Sequence, residues 1–297
     1  MSDTKIELTL TAKDFKGKVD PDWCPGCGDF GVLSGLQRAV SELGLQPHQI
    51  LTISGIGCSS NLPGFFKSYG MHTLHGRSLP HASGAKLANH EMTVIATGGD
   101  GDGYGIGGNH FTHTSRRNLN ILYLVMDNQI YGLTTGQISP TSEVGMKTKS
   151  TPHGSVELPI NPIANAITSG ATWVARGYTG NIKQLVRLIK EGIEHKGFAL
   201  LDVFSPCVTF NKVNTYQFFR PRVQPLEDIE HDSNDWKQGI EKAMVWGDVI
   251  HTGVFFKTNT RLTLEEQEPV LDEGGPLAHR ELSLNSEQTE RIVSRMM

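Results

Sequence analysis

Two short segments carry oxygen ligands in places where chemistry could use them. Gly99-Asp100-Gly101-Asp102 follows the apolar run Met92-Thr93-Val94-Ile95-Ala96-Thr97, and Asp127-Asn128 follows the run Ile121-Leu122-Tyr123-Leu124-Val125-Met126. Runs this short and this apolar read as strands buried on both faces of a parallel sheet. A carboxylate at the end of one strand and an amide at the end of the next can converge on one hard cation. Mg²⁺ suits such oxygen ligands and completes its octahedron with phosphate oxygens. The glycines around Asp100 let backbone approach a diphosphate. The pattern therefore predicts a Mg-diphosphate site where the strands end. Gly99-Asp100-Gly101 alone could be a tight turn, so the weight rests on its pairing with Asn128.

The chain has four cysteines, Cys24, Cys27, Cys58 and Cys207. In a reducing compartment, structural disulfides explain them poorly. Four thiols with none to spare match an all-cysteine, four-ligand centre. Cys24-x-x-Cys27 is a short loop that can offer two thiolates, Cys58 follows one strand, and Cys207 follows the last clear one. Zinc would accept such a set as a closed structural site, and so would an iron–sulfur cubane.

The elements that must hold these groups alternate. Val32, Leu33, Leu36, Ala39, Val40 and Leu43 define an amphipathic helix stopped at Gly44, and Ile50–Ile53 reads as a strand. A small-residue helix over 81–89, the strand 92–97, a helix over 107–117 and the strand 121–126 follow. Residues 132–156 lack periodicity and read as a long functional loop. A helix over 160–169, a strand over 173–177, a helix over 182–193 and the strand Phe198–Phe204 complete the pattern. Alternation without hairpin signals predicts an α/β fold with a doubly wound parallel sheet. After Arg222 the chain is charged and patchily apolar. The expected division is an N-terminal arm over 1–20, a cofactor-binding domain over 21–222, and an extension over 223–297 that packs on a partner.

Composition excludes several classes. With 297 residues, 37% hydrophobic content and a net charge of −4 without a basic stripe, nucleic acid is not an expected partner. No apolar stretch nears the roughly 20 residues that span a membrane. Met1-Ser2-Asp3-Thr4-Lys5-Ile6-Glu7 lacks the apolar centre of a signal peptide. A cytoplasmic protein is the expectation. Of the 33 glycines, clusters at 26–35 and 98–108 lie beside the motifs, as cofactor-hugging turns would.

The same residues carry a family resemblance. Gly99-Asp100-Gly101 followed by Asn128 resembles the thiamine diphosphate (TPP) signature. The stretch Met126-Asp127-Asn128-Gln129-Ile130-Tyr131-Gly132-Leu133-Thr134-Thr135-Gly136-Gln137 is narrower and resembles the β subunits of 2-oxoacid:ferredoxin oxidoreductases. So do Cys24-Pro25-Gly26-Cys27-Gly28, Ser54-Gly55-Ile56-Gly57-Cys58-Ser59-Ser60 and His72-Thr73-Leu74-His75-Gly76-Arg77. The likeness covers about residues 20–220, in family order, and is greatest to the 2-oxoglutarate branch.

The resemblance implies a TPP-binding fold. It implies Mg²⁺ held by Asp100, Asn128 and the Ile130 carbonyl, with Gly101 and Asp102 at the diphosphate. Ile56, Gly57, Cys58, Ser59 and His75 match cofactor contacts on the other side, and Gly132 and Leu133 match the far edge. It implies a 4Fe-4S cluster on Cys24, Cys27, Cys58 and Cys207. The adjacency of Cys58 to Ser59 in the cofactor turn favours that cluster over zinc, because a redox centre gains from proximity. No side chain is assigned as catalytic, since the cofactor is the reactive group. His72, His81, His110 and His113 receive no role.

The implied activity is oxidative decarboxylation of a 2-oxo acid to an acyl-CoA, with electrons passing to ferredoxin, and a low-potential acceptor would also permit the carboxylating direction. A carboxylate beside the aminopyrimidine must come from a pyrimidine-binding domain, for which this chain has no room. A separate α subunit carrying it and the coenzyme A site is therefore implied, in an αβ heterodimer or a dimer of heterodimers. Related β subunits often carry Arg or Lys where this chain has Asn61. Lys67 and Arg77 are the local alternatives for binding substrate, and Leu62-Pro63-Gly64-Phe65-Phe66 points to 2-oxoglutarate. Three rivals stay open: a pyruvate or broad 2-oxo acid enzyme, a TPP decarboxylase or NAD-linked dehydrogenase subunit without a cluster, and a non-catalytic zinc-stabilised scaffold.

Overall fold

The computed structural model describes residues 9–272, 274–281 and 283–297. Residues 1–8 of the expected arm lie outside the described residues. The rest of that arm is docked. A short 3₁₀ turn, Ala12–Phe15, buries Phe15 against Phe66 with ring centroids 5.8 Å apart, and the Gly17 N–H donates to the Phe65 carbonyl at 2.8 Å.

Eight strands form one sheet: β1 (Ile50–Ser54), β2 (Tyr69–His72), β3 (Thr93–Gly99), β4 (Ile121–Asp127), β5 (Trp173–Tyr178), β6 (Phe198–Phe204), β7 (Val223–Pro225) and β8 (Ile250–Lys257). Their order is β2-β1-β3-β4-β6-β5-β8-β7. The six from β2 to β5 in that order run parallel, β8 is antiparallel to β5, and β7 is parallel to β8. The expected doubly wound parallel sheet is thus the body of the molecule, with an antiparallel edge.

Period-two alternation explains why β4 had to be apolar throughout. Leu122, Leu124 and Met126 face one core with Val32 and Leu36 of helix Asp29–Glu42 and Leu185, Leu188 and Ile189 of helix Ile182–Glu194. Ile121, Tyr123 and Val125 face the other core, with Leu79 of helix Ser78–Ala88, Phe111 of helix Gly108–Arg117 and Ile163 of helix Pro162–Thr168. Helices therefore cover both faces, and every residue of β4 and β6 is buried.

Phe198–Phe204 is the last strand with a clear apolar signal, but the sheet continues into the expected extension over 223–297. β7 and β8 come from that stretch, and helix Trp236–Ala243 packs on β8. His251, Thr252 and Gly253 interrupt the apolar pattern of β8, yet the strand is almost wholly buried against β5 and the helix. β2 was also unforeseen. All four of its residues are exposed, so this edge strand has no apolar signal to read. No helix among the described residues is long and apolar enough to cross a membrane.

Candidate functional site

Strand register brings the two oxygen ligands together. β3 and β4 pair with Gly99 opposite Met126, so Asp100 and Asp127-Asn128 leave the sheet side by side. β1 pairs with β3 up to Ser54–Thr97, which sets the turn 55–59 beside Gly98 and Gly99. One cavity results. Its wall contains Ile56, Gly57, Cys58, Ser59, His75, Asp100, Gly101, Asp102, Asn128, Ile130, Gly132 and Leu133, together with Gly99, Tyr131 and Thr134. Every residue expected to bind the cofactor or Mg²⁺ lines it, apart from the remaining cysteines.

Asp100 is 1% exposed. Burial pushes its carboxyl up to about 6, while the Ser139 and Thr141 hydroxyls and nearby backbone N–H groups pull the other way. The Thr141 hydroxyl lies 2.6 Å from Asp100 Oδ2 and 2.9 Å from Asp127 Oδ1. A hydroxyl has one proton, so it can donate to only one of two carboxyls, and the other must donate to it. Burial first, then the Asp100 charge, drives Asp127 well above the carboxylate range. Asp127 is the member that holds the proton, which leaves Asp100 as the anionic one. Asn128 closes a local turn by accepting from the Ile130 N–H at 3.1 Å, which fixes its amide at the cavity edge. A buried anion, an oriented amide and a backbone free of side-chain bulk fit Mg²⁺ with a diphosphate.

Asp102 plays a different part from its neighbour. Its Oδ1 accepts from the Ile56 N–H at 2.9 Å, the Gly76 N–H at 2.7 Å and the His75 Nδ1 at 2.7 Å. The carboxylate faces inward and ties the turn at 56 and the His75 loop to the end of β3. Only the Asp102 backbone is left to face a diphosphate. Gly55 is obligatory here, because a Cβ would stand 2.1 Å from Asp102 Oδ2. Gly101 is obligatory for another reason. A Cβ on it would lie 2.2 Å from the Tyr131 ring, whose hydroxyl donates to the Gly101 carbonyl at 2.9 Å.

Two of the thiols border the same cavity at Gly132. A Cβ on Gly132 would stand 3.7 Å from Cys207 Sγ, 3.9 Å from Cys58 Sγ and 3.9 Å from Asn128 Nδ2. The loop with Cys24 and Cys27 is held to both segments. Trp23 Nε1 donates to the Cys58 carbonyl at 2.7 Å, and the Gly28 N–H donates to the Pro206 carbonyl at 3.1 Å. Burial pushes the Cys58 thiol up to about 11, with Asp29, Cys207 and Cys24 adding to the rise. Burial raises Cys27 further, again with Asp29, Cys207 and Cys58 contributing. Among the described residues, no three His, Cys, Asp or Glu side chains converge on a point as they would around one ion. Cys58 and Cys207 instead stand beside the space at Gly132.

The three residues considered for substrate are not in the cavity wall. The Asn61 amide points to Asp22 at 3.4 Å, Lys67 is exposed, and the Arg77 guanidinium caps the carbonyls of His75, Gly76 and Ile106. Conversely, Ser139, Thr141 and Tyr131 take part without having been singled out. Ser139 and Thr141 sit in the aperiodic loop, far along the chain from Asp100, and carry no signal of their own. Tyr131 lay inside a motif, but its clasp on Gly101 depends on tertiary packing.

Comparison with known proteins agrees with this geometry. The family model for the C-terminal TPP-binding domain of thiamine pyrophosphate enzymes matches residues 55–203, and that for the C-terminal part of the pyruvate ferredoxin oxidoreductase β subunit matches residues 207–273. The chain is 45% identical over 258 residues to the 2-oxoacid:ferredoxin oxidoreductase subunit beta of Saccharolobus solfataricus, covering 83% of this chain and 85% of that one. It is 45% identical over 199 residues to the 2-oxoglutarate oxidoreductase subunit KorB of Mycobacterium tuberculosis, covering 67% of this chain and 53% of that one. A solved structure of the 2-oxoglutarate:ferredoxin oxidoreductase from Magnetococcus marinus, with 2-oxoglutarate, coenzyme A and succinyl-CoA bound, superposes with a TM-score of 0.89 at 42% identity, covering 97% of this chain and 96% of that one. The fold, the cavity at the strand ends and these similarities together place the chain in the family of 2-oxoacid:ferredoxin oxidoreductase β subunits.

Proposed function

We propose that this β subunit works on 2-oxoglutarate, releasing CO₂, forming succinyl-CoA and passing electrons through a 4Fe-4S cluster to ferredoxin. One observation carries the reading: the buried Asp100, the half-buried Asn128 and the Cys58 thiol line one small cavity, with the Cys207 thiol beside them at Gly132. TPP would supply the electron sink for cleaving the carbon–carbon bond. Asp100, Asn128 and the Ile130 carbonyl would hold Mg²⁺. The backbone of 56–59 and 101–102 would take the diphosphate, while His75, oriented by Asp102, and Gly132 and Leu133 would bound the cofactor. Cys24, Cys27, Cys58 and Cys207 would hold the cluster. Thiols bordering a shared space suit a four-iron cubane better than one zinc ion, which draws its ligands to a point.

In this reading residues 21–222 carry the cofactor and the cluster ligands. Residues 223–297 complete the sheet and present their outer face to an α subunit, which supplies the pyrimidine-binding domain and the coenzyme A site. Helix Ser286–Met296 has no buried residue, as a segment awaiting a partner would. The work is cytoplasmic. The names of the Mycobacterium and Magnetococcus relatives support 2-oxoglutarate. Since Asn61, Lys67 and Arg77 stand outside the cavity, the cation for the distal carboxylate comes from the α subunit. The low-potential cluster lets the enzyme run towards carboxylation as well.

The test is anaerobic co-purification with the partner subunit, followed by analysis of iron, sulfide and TPP. It continues with kcat/KM for 2-oxoglutarate, pyruvate and 2-oxobutyrate, using a viologen dye as acceptor. The expected result is four irons and one TPP per chain, a preference for 2-oxoglutarate, and negligible turnover by the chain alone. Zinc without iron overturns the cluster. Preference for pyruvate overturns the substrate.

A further inference from the structure

A larger cavity, of about 390 Å³, lies behind the first, at the carboxyl ends of β4, β5 and β6. The Asp127–Thr141 pair is the partition: both residues line the larger cavity, and Thr141 bonds to Asp100 on the other side. Ile160, Pro162, Phe204, Met244 and Trp246 make most of the wall apolar. No motif residue considered for cofactor, metal or substrate lines it.

One cation is built into that wall. Arg176, on β5, is 3% exposed. Its Nε donates to Asp202 Oδ2 at 3.1 Å, and its guanidinium lies 4.9 Å from the Phe204 ring centroid and 5.5 Å from that of Phe255. Asp202 is also claimed by the Tyr104 hydroxyl at 2.9 Å. The guanidinium is thus held rigidly by one edge, and its buried Nη1 has no partner. Gln129, also in the wall, donates to the Thr141 carbonyl at 3.2 Å and leaves a buried, unpartnered Oε1. Buried polar atoms are ordinarily satisfied, so an unpaired one in a cavity wall marks a place for a partner. Both carboxyls in the wall have hydrogen-bond partners: Asp127 Oδ1 shares a bond with the Thr141 hydroxyl and accepts from the Gln129 N–H, and Glu143 accepts from the Asn214 amide at 2.8 Å.

We propose that this second cavity is a binding site for a small carboxylic acid with a compact apolar body, its carboxylate on the free edge of Arg176 and its body against Phe204, Ile160 and Trp246. A planar, pinned guanidinium recognises a carboxylate in two-point fashion, and the apolar walls reward a ligand that is not merely an inorganic anion. The cavity stands on its own residues, so the proposal does not depend on the cofactor or the substrate assigned above.

The test is calorimetry on the full chain co-purified with its partner subunit, with phenylacetate as probe and phenylacetamide as its neutral isostere. Phenylacetate should bind at least about tenfold more tightly than the amide, because the charge-assisted bond is lost in the amide. Arg176→Met should remove that difference. Because it strips Asp202 of its counter-charge and can fail to fold, Val144→Glu is the second variant. Val144 is an exposed residue of the rim, 55% accessible, so a carboxylate there leaves the core intact and repels the probe. It should weaken phenylacetate about tenfold and leave the amide and TPP titrations unchanged. Equal binding of acid and amide, binding of neither, indifference to Val144→Glu, or binding only when the partner subunit is removed would each overturn the proposal.

Discussion

Asp100 and Asn128 reach the cavity from neighbouring strands whose register is locked through the sheet, whereas the four thiols come from three separate stretches of chain, and Cys58 and Cys207 border the cavity at Gly132. The acidic end is finished before any ligand arrives. Its carboxyl pair is bridged by Thr141, its turns are tied to Asp102, and close packing demands glycine at 55 and 101. The thiol end is less complete. Cys24 is exposed, and burial opposes the charged form of Cys27 and Cys58. The contrast teaches that the acidic end is preorganised, whereas in the proposed function the thiol end would be completed only by the cluster it holds.

That contrast can be broken most directly at its extremes. Cys24→Ser should abolish the visible absorption and the iron content of anaerobic protein and stop dye reduction. Calorimetry should find Mg-TPP affinity changed by no more than about 0.5 kcal/mol, as for independent sites. Asp100→Ala should do the reverse, with iron retained and Mg-TPP affinity lowered about 100-fold or more. If either variant disables both ends, the cavity is one cooperative unit and the comparison fails.

A pH series sharpens the same point. Metal competes with protons for its ligands. With the Asp100 carboxyl at about 6, Mg-TPP affinity should weaken as pH falls below 6 and be level above it. With Cys58 raised to about 11 and Cys27 also raised by burial, these two thiols stay protonated at neutral pH, so cluster reconstitution should keep improving from pH 7 to pH 9. Titrations of TPP binding and of cluster absorbance across that range would expose parallel profiles, which the two-ended picture forbids.

Smaller effects come from the supports. Thr141→Val leaves two buried carboxyls without their shared hydroxyl and should lower stability by about 1–3 kcal/mol in thermal unfolding, with weaker Mg-TPP binding. Lys67→Ala, at an exposed site outside the cavity, should shift stability by less than about 0.5 kcal/mol and leave the KM for 2-oxoglutarate unchanged on the assembled enzyme. A large rise in that KM would return Lys67 to the substrate site.

The parts of the site that were legible are those written as local pattern. The run at 121–126 is apolar at every position, and that at 92–97 at all but Thr93 and Thr97, because both faces of β3 and β4 are covered. Their ends could therefore be found, and with them Asp100 and Asn128. The helices over 29–42 and 182–194 were legible for the same reason, since one apolar stripe meets one core. β8 was hidden because His251 and Thr252 are buried polar residues, and β2 because nothing buries it.

Residue identity by itself determined the alternating architecture, the oxygen ligands at two strand ends and the supply of four thiols, because each is encoded within a few residues of its own position. Only the tertiary structure decided that Asp102 turns inward while Asp100 faces the ligand, that Thr141 bridges two carboxyls, that Arg77 spends its guanidinium on backbone carbonyls, and that Arg176 stands half-paired in a second cavity. Each of those outcomes depends on which distant groups compete for one buried atom, and spacing along the chain does not contain that competition.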